Sequence, residues 1–283
     1  MKQTAYSFLI IAIITGCSSR STKKNTDALH VSTDSLLGNW IITNIAVTGD
    51  NNQNTALMGS IVQSLKNTIE LSTLNIQANG ALDIDDGNPQ LSTGKWSYVN
   101  DTFRLDGTVI SRDDNGTPFI ITKLRQDSLV IENSFDNKDK KLRVAYTLNK
   151  IYLPDSTLNI FDAANNNWRT KPLQPETGEA IRQRLKQMLQ YYSAYFAVFQ
   201  KNKVPYFNRE KILIPLMFYN GGLGITPFED AGNFPELFYN DEDAKKAYAL
   251  LEKIFAGYKD YPDFGNEFVT EYVVALKQLS QRL

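Results

Sequence analysis

The sequence predicts an α+β protein of two parts, an antiparallel up-and-down β-barrel with one short helix, followed by an all-α half. Two observations carry this reading. From Leu36 to Ile151 apolar residues recur with a period of two between turn-forming clusters, and after Ile151 the period becomes that of amphipathic helices. A third sets the scale: the chain has 283 residues, 42% hydrophobic and 11% aromatic, enough for a sizeable core.

The elements follow in order. Gly38 to Val47 reads as a first strand, entered at Gly38-Asn39 and rich in β-branched residues. Thr55 to Lys66 departs from the strand pattern, because Leu57, Met58, Ile61, Val62 and Leu65 fall at helical intervals. Leu74 to Ile84 alternates on each side of Asn79-Gly80, a dipeptide suited to a type I′ hairpin with positive φ at both central residues. Trp96 to Leu105 repeats the design around Asn100-Asp101, and Ser111 to Ile121 does so around Asp114-Asn115-Gly116. Leu124 to Ile131 turns at Gln126-Asp127, and Leu142 to Leu148 closes the series. About eight strands in sequential hairpins favour closure, which removes exposed edges. The large residues Trp40, Ile42, Trp96, Tyr98, Phe103 and Leu105 are expected to fill the interior.

The N-terminus reads as an export signal: Met1-Lys2, an apolar run from Phe8 to Ile14, then small residues at Thr15-Gly16-Cys17. The run is too short to span a bilayer as a mature helix. With the chain's single cysteine at the cut site, this resembles the bacterial lipoprotein lipobox. The resemblance implies cleavage after residue 16, a diacylglyceryl (palmitate-bearing) Cys17 as the new N-terminus, and a membrane contact through that lipid. Residues 17–33 are polar and read as a flexible tether. Ser18-Ser19-Arg20-Ser21 lacks both an acidic surface-export run and an inner-membrane retention Asp. The expected location is the outer membrane, facing the periplasm.

Within residues 34–152 short motifs carry a second resemblance. Leu37-Gly38-Asn39-Trp40 looks like the Gly-x-Trp opening of lipocalins, and Gly94-Lys95-Trp96-Ser97-Tyr98 is similar to a mid-barrel strand of lipocalin-like bacterial lipoproteins. Leu124 to Ile131 and Tyr146 to Ile151 fit the same pattern. This implies a lipocalin-like barrel and, with it, a carrier of a small apolar ligand.

Residues 153–174 read as an irregular linker, and 175–283 as a helical domain. A long helix places Ile181, Leu185, Met188, Leu189, Tyr192, Tyr195, Phe196 and Phe199 on one stripe. Ile212 to Tyr219, apolar all round and containing Pro215, is expected as a buried, kinked helix, with Gly221-Gly222-Leu223-Gly224 as its C-terminal turn. Asn240-Asp241-Glu242-Asp243 places a cap and three carboxylates at the positive end of the next helix, and a last helix runs from Phe268 to Leu283. Tyr191 and Tyr192 point to different faces, so the aromatics exceed what one stripe buries. Tyr191, Tyr195, Tyr206, Leu223, Ile225 and Phe228 are therefore expected at a recognition surface.

Composition excludes much chemistry. With Cys17 lipidated no thiol is left for a disulfide, nucleophile or metal site, and the one histidine, His30, lies in the tether. A formal net charge of −1 gives no global attraction to nucleic acid. Asp83-Ile84-Asp85-Asp86-Gly87-Asn88 hints at a calcium loop, but position twelve is Gly94 where a bidentate Glu is needed; a hairpin turn is the better reading. Glu229, Asp230, Glu236 and Asp241 leave carboxylate-pair glycosidase chemistry as the residual enzymatic option. The expected role is non-enzymatic, without cofactor or metal: an envelope binding or assembly module whose helical domain contacts a protein partner. The alternative is the ligand carrier.

Overall fold

The computed structural model describes residues 31–49, 55–108, 110, 117–137, 140–154, 158–204, 211–219, 222–258 and 268–283. Cys17, His30, the Asp114-Asn115-Gly116 turn, Tyr206 and Gly221 lie outside the described residues.

Eight antiparallel strands form a closed barrel in chain order: β1 Gly38–Gly49, β2 Thr73–Ile76, β3 Ala81–Asp85, β4 Ser92–Val99, β5 Thr102–Asp106, β6 Thr117–Arg125, β7 Ser128–Asn137 and β8 Lys140–Lys150, with β8 returning to pair with β1. Helix α1, Thr55–Ile69, fills the β1–β2 connection. The apolar residues that line the interior alternate along their strands except where the phase jumps from Ile42 to Ile45 and from Ile121 to Leu124. A register shift sits at each jump, between Ile42 and Asn44 and between Ile121 and Lys123. A bulge adds one residue and returns the next apolar side chain to the interior.

Of the two hairpins expected to share one turn design, one departs from it. At Asn79-Gly80 only Gly80 has positive φ (82°), Gly80 N–H donates to Gln77 O, and the Asn79 side chain accepts from Ala81 N–H. This is a longer loop ending in a glycine bulge, which replaces the expected type I′ turn. The two-residue turn with positive φ at both positions is at Asn100 (50°) and Asp101 (58°).

The second half is built around α2, Gly178–Lys201, capped by the Thr177 hydroxyl, which accepts from Ala180 N–H. Helix α4, Phe268–Gln281, packs along it, with Phe196 stacked on Tyr272 at 4.5 Å. Helix α3, Asp241–Phe255, starts where the Asn240 side chain accepts from Asp243 N–H at 2.9 Å. The segment expected as a kinked helix is instead a hairpin, β9 Leu216–Tyr219 paired with β10 Gly222–Ile225. Pro215 stands just before β9, where its missing N–H costs no ladder bond, and the β-branched and aromatic run favours a strand. Part of the stretch expected as an irregular linker, residues 158–169, is packed. It forms a 3-10 turn over Ala163–Arg169 whose Trp168 is 1% exposed and belongs to the helical core, together with Ile160.

Candidate functional site

Two cores form. One fills the barrel; the other fills the helical half but also takes in Ile41, Leu71 and Ile151 from the barrel side. Cross-strand register shows why. Asn149, Ile41, Thr73 and Asp85 pair in one row across β8, β1, β2 and β3, so all four face outward. Ile41 and Thr73 are nonetheless buried, because the helical half covers this row.

At one end of the row the halves are joined by a buried ionic cluster. Arg169 Nη2 donates to Asp85 Oδ2 at 2.6 Å, and Nη1 donates to Asp85 Oδ1 at 3.2 Å and to Asn88 O at 3.1 Å. The Tyr191 hydroxyl donates to Asp85 Oδ2 at 2.6 Å and accepts from Arg169 at 3.0 Å. The guanidinium also lies 4.9 Å from the Trp168 ring and 5.0 Å from that of Tyr191. The Arg169 and Asp85 side chains are 4% and 13% exposed. Burial alone would raise the Asp85 carboxyl, but the Arg169 charge, the Tyr191 hydroxyl and the Gly87 amide outweigh it and hold it below its ordinary value. Burial also pushes the Tyr191 hydroxyl well up, so it stays a donor.

The next residues complete the joint. Lys211, buried, donates to Thr68 O, Ser72 Oγ and Asp86 O at 2.9–3.0 Å. Its Cα would lie 2.4 Å from a Cβ at Gly87, whose φ is +83°, so only glycine allows this approach. The stretch that hints at a calcium loop is thus a docking loop. Asp85 takes Arg169 and Tyr191, and Asp86 accepts from Asn88. Among the described residues no three His, Cys, Asp or Glu side chains converge on a cation position.

The barrel interior is occupied. Trp40, Ile42, Phe103 and Leu105 expose none of their surface, nor do Leu74, Leu82, Ile84, Leu129 and Leu148. A side chain lining a void wide enough for water would expose surface to it, so these residues pack against one another. Trp40 donates its indole N–H to Leu36 O, and Trp96 donates to Gln77 O. Phe119 meets Tyr146 edge-on at 6.0 Å, and burial pushes the Tyr146 hydroxyl up to about 12. Tyr98 sits half-buried, with its hydroxyl on Asp101.

The residues expected at a recognition surface are placed differently. Tyr191, Tyr195 and Leu223 are 1%, 4% and 4% exposed, and Ile225 and Phe228 pack partly buried against the same core. The correction has a plain cause. Helix α2 is central and packed on several sides: Tyr191 faces the barrel, the Tyr192 hydroxyl accepts from Leu213 N–H, and Phe196 faces α4. The aromatic surplus is what a surrounded helix needs.

Among the described residues of the helical half, one apolar side chain stands fully in solvent. Leu173, 97% exposed, lies between Pro172 and Pro175. Arg184 fixes the loop at both ends, donating to Trp168 O at 2.5 Å, Thr170 O at 3.0 Å and the Glu176 carboxylate at 2.9 Å. Glu176 N–H in turn donates to Asp243 of α3. Sequence reading missed Leu173; the signal available was an apolar residue flanked by two prolines.

No family model and no curated protein matches the chain. Among solved structures it is similar to an odorant-binding protein from bovine nasal mucosa (16% identity, 46% of this chain and 80% of that chain, TM-score 0.27). It is also similar to the bovine lipocalin allergen Bos d 2 (12% identity, 48% and 84%, TM-score 0.26) and to a DUF4847 family protein from Bacteroides vulgatus (12%, 38% and 91%, TM-score 0.24). At these values the likeness carries nothing about ligand or activity, and the lipocalin-like fold is read from the closed, sequential barrel itself.

Proposed function

We propose that this protein is a non-enzymatic binding or assembly module of the cell envelope, tethered through a lipid on Cys17 to the periplasmic face of the outer membrane. Its helical half contacts a protein partner. The observation that carries the reading is Leu173: an exposed apolar side chain on a loop pinned by Arg184 is an anchor whose ordering entropy is already spent. The filled barrel supports a platform over a carrier. The Asp85–Arg169–Tyr191 cluster supports a structural joint over a catalytic one, because its groups are covered and bonded to each other.

A photoreactive benzoylphenylalanine at position 173 in intact cells is expected to give a discrete cross-linked adduct, lost when unmodified parent protein is overproduced as a competitor and retained when Leu173→Asp protein is overproduced instead. The same probe at exposed Glu229 is the control. Equal adducts at both positions, or none at 173, would refute the contact. An apolar small molecule co-purifying with the barrel at one equivalent would favour the carrier.

A further inference from the structure

We propose that the outer face of β4–β6, on the side of the barrel away from the helical half, lies against a bilayer that carries anionic phospholipid. Val99, Thr102 and Ile120 pair in one row across these strands. Their chain neighbours Phe103, Phe119 and Ile121 belong to the barrel core, so the row faces outward. Val99 and Ile120 are 62% and 63% exposed, and two strand spacings set them about 10 Å apart. Ile41 also faces outward, on β1, yet it is 1% exposed because the helical half covers it. In a closed ring of eight strands β5 stands opposite β1, and the row centred on β5 stays open.

Charge selects the partner. Lys95 of β4, Arg104 of β5, and Lys123 and Arg125 of β6 are all exposed, and the register turns each of them to the same outer side as the row. The carboxylates of these strands and of the Asn100-Asp101 turn are Asp106, which stands across from Lys95, and Asp101, which accepts from the Tyr98 hydroxyl. Glu132 borders the row on β7 and is half-buried. Cations around an apolar pair match an anionic headgroup layer: ammonium and guanidinium groups meet phosphate, while aliphatic stems and β-branched side chains reach the acyl boundary.

Size points the same way. A stable protein interface takes about 800 Å² from each partner, far more apolar surface than Val99 and Ile120 offer. A face held near a bilayer by an anchor needs less, because the tether supplies the local concentration. This step rests on the Cys17 lipid of the proposed function, whereas the charge argument does not. Between Cys17 and Val31 the chain can span about 45 Å, more than the about 19 Å of sheet from β1 to β5. In sequential antiparallel order the start of β1 and the β4–β5 turn also lie at the same end of the barrel, so the tether enters on the side where Val99 and Thr102 stand.

The test reconstitutes the full chain into phosphatidylcholine vesicles with and without phosphatidylglycerol. A coumarin amino acid replaces Thr102 in one preparation and exposed Glu229 of the helical half in another, and quenching by nitroxide-labelled lipid is read at each. With phosphatidylglycerol present, quenching at position 102 is expected to be at least threefold that at 229, and to fall to the control level without that lipid or in high salt. Ile120→Asp, and Arg104→Glu combined with Lys123→Glu, should each bring it to the control level at an unchanged thermal midpoint. Retention of the parent on phosphatidylcholine vesicles reports the Cys17 lipid separately from the probe. Equal quenching at both positions, quenching indifferent to phosphatidylglycerol, or a charge-reversed variant that behaves like the parent would overturn the proposal. Binding of soluble polyglutamate without quenching at position 102 would also overturn it and assign the face to an acidic protein.

Discussion

Replacing Asp85 by Asn keeps the shape of the joint and removes its negative charge. Tyr191 can still donate to the amide oxygen, and Arg169 keeps Asn88 O at 3.1 Å, but the buried guanidinium loses a carboxylate at 2.6 Å. Breaking a buried pair by removing one partner costs about 3–5 kcal/mol. Asp85 retains 13% exposure, which places the expected loss near the lower end, about 3 kcal/mol. With a urea slope of about 3 kcal/mol per molar, the midpoint should fall by about 1 M. The assay is equilibrium urea unfolding of wild type, Asp85→Asn, Asp85→Leu, Arg169→Met and the Asp85→Leu/Arg169→Met double variant. The double variant should lose less than the sum of its single changes, because an apolar pair leaves no buried charge unpartnered. The pH dependence has a definite sign. A carboxyl held below its unfolded value of about 3.9 contributes stability that is complete above that pH and is lost as pH falls through the folded value. Wild type should therefore lose this increment below about pH 4, and Asp85→Asn should lack that part of the acid slope. A change under about 0.5 kcal/mol for Asp85→Asn, or strict additivity in the double variant, would refute the joint.

The other predictions concern the barrel and the tether. Phe103→Ala in the filled interior should cost about 3–5 kcal/mol by calorimetry or urea unfolding; a loss below about 1 kcal/mol would mean that the surroundings collapse or that space already existed there. Cys17→Ser should abolish incorporation of labelled palmitate in growing cells, with equal label on variant and parent as the contrary result. Leu173→Asp should leave the urea midpoint within error of the parent, since an exposed change is worth about 0.5 kcal/mol or less, while removing the partner contact.

Much of the architecture was legible in the chain because it is written in short-range periodicity. Alternation at Leu74, Ile76, Leu82 and Ile84 assigns strands and their inner face, and the phase jumps at Ile42 to Ile45 and Ile121 to Leu124 mark bulges to a reader who looks for them. The interior set led by Trp40, Ile42, Phe103 and Leu105 comes from the same alternation. The helix cap at Asn240 is local hydrogen-bond chemistry and equally readable. The reading of residues 1–17 as an export signal rests on sequence alone.

Tertiary structure decided what covers what. Tyr191 and Tyr195 look like surplus apolar area only if α2 is thought to have one buried face; once it is surrounded, they are core. The run from Ile212 to Tyr219 is apolar in any conformation, so period could not separate a buried helix from a buried strand, and pairing with Gly222–Ile225 settles it as a hairpin. Asp85 carries no mark that distinguishes a turn carboxylate from the partner of Arg169, 84 residues away. Long-range pairing depends on which surfaces meet, and a one-dimensional pattern records the need to bury a face without naming its partner. The outward Ile41 between Trp40 and Ile42 states that need, and the helical half meets it.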